Sequence, residues 1–124
     1  MRLLIVEDEE LNLIVVVEMI KILFDDIDIV TVENGEEAYK LLRKDSNFDL
    51  ILSDINMPVM DGYELIKKIK NELKLTIPTI AITAFAVQGD KEKLLLSGFD
   101  AYISKPIDMG ELENTIKRYG EIIR

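Results

Sequence analysis

The chain has 124 residues, of which 48% are apolar and 31% charged, with 24 acidic against 15 basic side chains and a formal charge of −9. That mixture suits one globular domain with a real core, and it argues against nucleic acid or an anionic membrane as a direct ligand, since both need clustered Lys and Arg. With no Cys and no His, disulfides, thiol catalysis, imidazole bases and Cys- or His-bound metals are excluded, leaving carboxylates, hydroxyls, Lys and an oxygen-bound metal.

The opening "MRLLIVED" turns acidic at once and has no secretory layout. The longest apolar run, Leu13 to Val17, is far too short for a membrane span, so a soluble cytoplasmic protein is expected. Short β-rich runs are predicted at Leu3–Val6, Asp28–Val32, Leu50–Ser53, Thr79–Thr83 and Ala101–Ser104. Helical stretches are predicted at 10–24, 35–44, 62–73, 88–97 and 109–122, with Ser97-Gly98 capping the fourth. Strands alternating with helices imply a parallel sheet with crossover helices. The runs Leu3–Val6 and Asp49–Leu52 are continuous rather than alternating in pattern, as strands covered on both faces should be. The pattern is a five-unit (βα)5 open α/β sheet that takes up residues 1–124 as a single domain.

In such sheets ligands sit beyond the carboxyl ends of the strands. Strand one ends in Glu7-Asp8, strand three in Asp54, strand four in Thr83-Ala84 and strand five in Lys105-Pro106, while strand two delivers only Glu33-Asn34. A lone strand-end Asp is ordinary turn chemistry. Three carboxylates, a hydroxyl and an ammonium brought to one edge are not, because three acids repel one another. A hard divalent cation such as Mg²⁺ relieves that repulsion and takes carboxylate, water and phosphoryl oxygens. The edge reads as a metal-plus-phosphate site.

The stretches "VED" (6–8), "SDINMPVMDG" (53–62), "ITA" (82–84) and "YISKP" (102–106) resemble, in order and spacing, the receiver domain of two-component response regulators, and the likeness runs through essentially the whole chain. It implies a flavodoxin-like, doubly wound parallel sheet in strand order 2-1-3-4-5. It implies that Asp54 is the phosphoacceptor, taking a phosphoryl group from a phosphohistidine on a sensor histidine kinase or histidine phosphotransfer protein and losing it by autodephosphorylation. Asp8, Asp54 and the backbone carbonyl of Asn56 would bind Mg²⁺, with Mn²⁺ as an alternative, and Glu7 would hold a metal-bound water. Lys105 would pair with a phosphoryl oxygen and Thr83 would hydrogen-bond another. The Lys105–Pro106 bond is expected to be cis. Thr83 and Tyr102 would form the switch that reshapes the face of helix four, strand five and helix five for a downstream protein target. Many family members carry Asp where this chain has Glu7, though the Glu-Asp pairing also occurs among them. Asn56 and Phe85 stand at positions that tune phosphoryl lifetime in the family. The stretches "ITAFAVQGD" and "AYISKPI" resemble stand-alone regulators and hybrid-kinase receivers alike.

Helix one adds an expectation from its own residues. "LNLIVVVEMIKILF" (11–24) is too apolar for a surface helix that buries one stripe. Glu10, Glu18, Lys21 and Asp25 mark the solvent side. Asn12, Val15, Val16, Met19, Ile20 and Leu23 fall opposite. Leu13, Ile14 and Val17 are predicted to form an exposed patch that, with Pro106, docks the helical bundle of a kinase or phosphotransfer partner. A wider core stripe and a dimer contact are the alternatives. Leu94, Leu95 and Leu96 are read as mostly core, and Met57, Met60 and Met109 as packing residues. A haloacid-dehalogenase-like phosphatase also uses an aspartyl nucleophile with Mg²⁺, but it wants a second Asp where Asn56 stands, and no cap domain is present. No glycine-rich phosphate loop supports a nucleotide-binding domain. A module that no longer accepts phosphate is the third alternative, and with Asp8, Asp54, Thr83 and Lys105 in place nothing favours it.

Overall fold

The computed structural model describes residues 1–84 and 88–120. Five strands, β1 (Arg2–Val6), β2 (Asp28–Val32), β3 (Leu50–Asp54), β4 (Thr79–Thr83) and β5 (Ala101–Ser104), alternate with helices. The helices are α1 (Glu10–Leu23), α2 (Gly35–Lys44), α3 (Gly62–Lys67), α4 (Gln88–Ser97) and α5 (Met109–Tyr119). All strand pairs are parallel, in the order β2-β1-β3-β4-β5. The expected strands and sheet order are therefore those observed. The last helix ends at Tyr119, short of the expected residue 122, and Gly120 caps it with its amide donating to the Ile116 carbonyl at 2.8 Å.

Side chains alternate across the sheet with the period of two that extended backbone imposes. Leu3 and Ile5 of β1, Leu50 and Leu52 of β3, Ile80 and Ile82 of β4 and Ile103 of β5 pack with Val16 and Ile20 of α1 and Leu112 and Ile116 of α5. Leu4, Val6 and Ile51 face the other way, against Ala38 and Leu42 of α2 and Leu65 of α3. Both faces are thus covered, which is why the middles of these strands are apolar on both sides. Met57 and Met60 belong to this second core, as expected of packing residues.

Helix starts follow local chemistry. Asn34, Asp61 and Asp108 each accept a hydrogen bond at 2.9 Å from the amide three residues on, that of Glu37, Glu64 and Glu111. These are N-caps of the ordinary kind, worth about 1 kcal/mol apiece. Asp61 is thus accounted for as a cap. Gly98, at φ 118°, closes α4 in the left-handed region where glycine is at home. The predicted third helix is not uniform. After Lys67 it widens into a π-helical turn, Lys68–Glu72, whose end is marked by the Leu73 amide donating to the Lys68 carbonyl at 2.8 Å.

Two expectations about exposed faces need correction. On α1, Ile14 is exposed as predicted, but Leu13 and Val17 are part-buried and pack against the core, while Leu11, Val15 and Ile22 face solvent. Successive residues turn by about 100°, so Val15 and Val17 lie on opposite flanks of the stripe centred near Val16 and Ile20. The helix is rolled so that the Val17 flank goes in and the Val15 flank comes out. Of the three leucines of α4 only Leu94 is core; Leu95 is 49% and Leu96 88% exposed, because three consecutive helical residues cannot share one face.

Candidate functional site

The carboxyl ends of β1, β3, β4 and β5 deliver Glu7, Asp8, Asp54, Thr83 and Lys105 to one edge. Parallel pairing sets their heights: Val6 is level with Ser53, Asp54 with Ile82, and Thr83 with Ser104. Glu7, Asp54 and Thr83 are buried, and Asp8 is exposed at the rim. Carboxylate oxygens of Glu7, Asp8 and Asp54 lie within 4.8 Å of one another. The Lys105 ammonium bridges two of them, donating at 3.3 Å to Glu7 Oε1 and at 3.3 Å to Asp54 Oδ2. The other oxygen of Asp54 accepts from the Ile55 amide at 2.8 Å, and Glu7 Oε2 accepts from the Glu9 amide at 3.3 Å.

Crowding shows in the protonation of the pair. Burial, then the hydrogen bond and charge of Asp54, raise the Glu7 carboxyl from 4.5 to about 7, against the opposing pull of the Glu9 amide and Lys105. For Lys105, burial works to lower the ammonium's pKa, but the Asp54 and Glu7 carboxylates outweigh it and the net movement is upward. One ammonium thus faces three acids. A donor set of three carboxylates, two of them buried and incompletely neutralised, is what a hard divalent cation seeks, and Mg²⁺ fits it.

The loop beyond Asp54 is held close by Gly62. A Cβ there would come within 2.7 Å of the Asp54 carbonyl oxygen and 2.9 Å of the Ile55 Cα, and the Gly62 amide donates to the Ile55 carbonyl at 2.8 Å. The Asp-Gly pair at 61–62 therefore caps a helix and lets the loop pass tightly beneath the strand end; the pair is visible in the sequence, but its contact with Asp54 is not. Asn56 is exposed on that loop, and Val59 sits at φ 70°. The Lys105–Pro106 bond is cis, and the Lys105 amide donates to the Thr83 carbonyl at 2.8 Å. Pro106 is exposed. Tyr102 is half-buried on β5, packed against the cluster of Ile55, Ile66, Ala81, Leu94 and Phe99. Lys91 lies 5.4 Å above its ring centroid, a contact no motif announces. Phe85 lies outside the described residues.

The fold and site together are those of a signalling module built on a five-stranded parallel sheet with an acid-and-lysine edge. The family model described as "Response regulator receiver domain" matches residues 3–117, and the chain belongs to that family. It is 42% identical over 117 residues to the polar-differentiation response regulator DivK of Brucella anthropi, covering 94% of this chain and 93% of that protein. It is 36% identical over 124 residues to the sensor histidine kinase RcsC of Escherichia coli K12, covering all of this chain but 13% of that much longer protein. Among solved structures, the receiver domain of the sensor histidine kinase PA1611 from Pseudomonas aeruginosa PAO1, with a magnesium ion in its active-site cleft, matches with a TM-score of 0.85 at 33% identity over 97% of each chain. The receiver domain of Ssk1 from Saccharomyces cerevisiae, solved with the histidine phosphotransfer protein Ypd1, matches with a TM-score of 0.89 at 28% identity, over 98% of this chain and 90% of that one. Receiver domains are modules of two-component signalling, found in response regulators and in hybrid kinases alike. Among the described residues no helix is long and apolar enough to cross a membrane.

Proposed function

We propose that residues 1–124 act as one phosphorylatable receiver in the cytoplasm, with Asp54 as the phosphoacceptor. The observation that carries this reading is the Lys105 ammonium set 3.3 Å from both Asp54 and Glu7, beside a third carboxylate, at the end of a rigid sheet. An Asp54 oxygen attacks the phosphorus of a phosphohistidine, the P–N bond breaks, and the imidazole of a sensor kinase or phosphotransfer protein leaves with the electron pair. Lys105 meets the charge of the transferring phosphoryl oxygens and Thr83 hydrogen-bonds one of them. Asp8, Asp54 and the Asn56 carbonyl would hold Mg²⁺, with Glu7 acting through a water. When bound, the ion supplies neutralisation of phosphoryl and carboxylate charge. Water later hydrolyses the acyl phosphate. The chain's chemistry is confined to its own phosphorylation and dephosphorylation.

Thr83 and Tyr102 report the added charge to a downstream protein through the Ile55–Phe99 cluster and β5. The phosphodonor docks on the exposed side of α1, through Ile14 with Leu11 and Val15, and on Pro106; Leu13 and Val17 support that face from beneath. The Ssk1–Ypd1 complex supports a helical phosphotransfer partner. Intact-mass analysis after incubation with acetyl phosphate tests the chemistry. One added phosphoryl group is expected in the wild type with Mg²⁺, and none in Asp54→Asn or in EDTA. Equal modification of Asp54→Asn would overturn the assignment. Ile14→Lys should slow transfer from the protein donor while leaving the acetyl phosphate reaction intact.

A further inference from the structure

On a chain of charge −9, six of the fifteen Lys and Arg residues fall between positions 67 and 93, in and around α3, the π-helical turn and α4. Between these elements runs an open groove of about 710 Å³. Lys67 and Lys70 line one wall, Lys93 and Leu96 the other, with Glu92 as the one acidic side chain. Among the described residues neither Lys67 nor Lys70 has a carboxylate within salt-bridge distance, whereas the neighbouring Lys68 is paired with Glu72 at 3.3 Å. Lys93 rests over the Tyr63 ring at 4.4 Å, so its ammonium is held across from α3 rather than trailing into solvent. Leu96 is 88% exposed, the most exposed large apolar side chain described. The groove floor is tight: a Cβ on Gly98 would come within 3.3 Å of Ile66 and 3.4 Å of Lys70.

We propose that this α3–α4 groove binds an acidic peptide segment of a partner protein, one carrying an aliphatic side chain among its Asp and Glu residues. The three ammoniums take the carboxylates and Leu96 takes the apolar side chain. Charge complementarity selects that occupant: three cations against one anion line the groove on an otherwise acidic molecule, and a purely apolar partner would leave the lysines without partners. The groove is separate from Asp54 and from the exposed side of α1, so its occupation does not depend on the phosphoacceptor reading.

The test uses the ¹⁵N-labelled, unphosphorylated full chain titrated with an acetylated octapeptide of Asp and Glu containing two Leu. Amide shifts should concentrate at residues 67–71 and 93–98. Affinity should fall by about tenfold or more in Lys67→Glu/Lys70→Glu, and also between low salt and about 0.3 M, where screening shortens to a few ångströms. The Leu→Ser version of the peptide should bind more weakly. Lys67→Gln/Lys70→Gln should show an intermediate loss with an unchanged melting temperature, which separates lost contacts from lost folding. Shifts centred on the other basic cluster, Lys40, Arg43 and Lys44, or affinity indifferent to the double reversal, would overturn the proposal. So would the same shifts appearing on concentrating the protein alone, which would make a second copy the occupant.

Discussion

Glu7 is 4% exposed, and its carboxyl is raised from 4.5 to about 7, by burial first and then by the bond to and charge of Asp54. The folded state therefore favours the protonated acid relative to the unfolded chain. That contribution to stability is full below pH 4.5 and is lost as the pH rises from 4.5 through about 7. At about 1.4 kcal/mol per pH unit the loss approaches about 3 kcal/mol. Glu7→Gln removes the ionisation but also one of the two partners of Lys105, which keeps Asp54 at 3.3 Å; that lost contact offsets about 1 kcal/mol. The variant should therefore be more stable than the wild type by about 1–2 kcal/mol at pH 8 in EDTA, or roughly 5 °C in melting temperature. At pH 5 the advantage should nearly vanish. Urea denaturation at the two pH values reads both numbers. Added Mg²⁺ should narrow the gap at pH 8, since a ligand at tenfold its dissociation constant stabilises by about 1.4 kcal/mol. A Gln variant less stable than wild type at pH 8 without metal, or an equal gap at both pH values, would refute the view that crowded acids weaken this fold.

Gly62→Ala should destabilise by about 2 kcal/mol, because its Cβ would press on backbone atoms of Asp54 and Ile55 that the strand cannot move, and it should also slow modification by acetyl phosphate; wild-type values of both would remove Gly62 from the site's support. The roll of α1 is checked by a pair of truncations. Ile20→Ala, at a position with no exposure, should cost about 3 kcal/mol in urea denaturation, while Ile22→Ala, 73% exposed, should cost under about 0.5 kcal/mol.

Most of the layout was legible because strand and helix are written in different periods. The buried strands stand out as unbroken β-rich runs, and all five fall where the sequence places them, to within a residue at each end. The site was legible because a parallel sheet delivers every strand end to one edge, so Glu7, Asp8, Asp54, Thr83 and Lys105 had to meet. What was not legible depends on rotation and on a single turn. α1 is apolar on nearly every side, so its pattern fixes no unique roll, and Val15 and Val17 exchange places. Leu94–Leu96 offers three candidates for one core position, and only packing against Ile66 and Phe99 picks Leu94. The π-helical turn at Lys68–Glu72 has no residue signature, since Lys, Ile and Glu suit an α-helix equally well.

The sheet order also explains why the ammonium comes from β5. Strands sit about 4.8 Å apart, so β5 is two strands, about 10 Å, from β3 and three strands, about 14 Å, from β1. A short side chain at the end of β5 would stop over β4. Lys105 crosses that gap because its backbone is drawn against β4, its amide bonded to the Thr83 carbonyl, and its long stem then carries the charge to Asp54 and Glu7. Thr83 thus lies on the strand that Lys105 spans, and Tyr102 lies on the edge strand β5, three residues before Lys105, which follows directly after that strand. A change of charge at Asp54 would act directly on Lys105, 3.3 Å away, whose backbone amide ties the junction of β4 and β5. The side chains proposed to hold a phosphoryl group and the edge proposed to announce it are thus joined through Lys105.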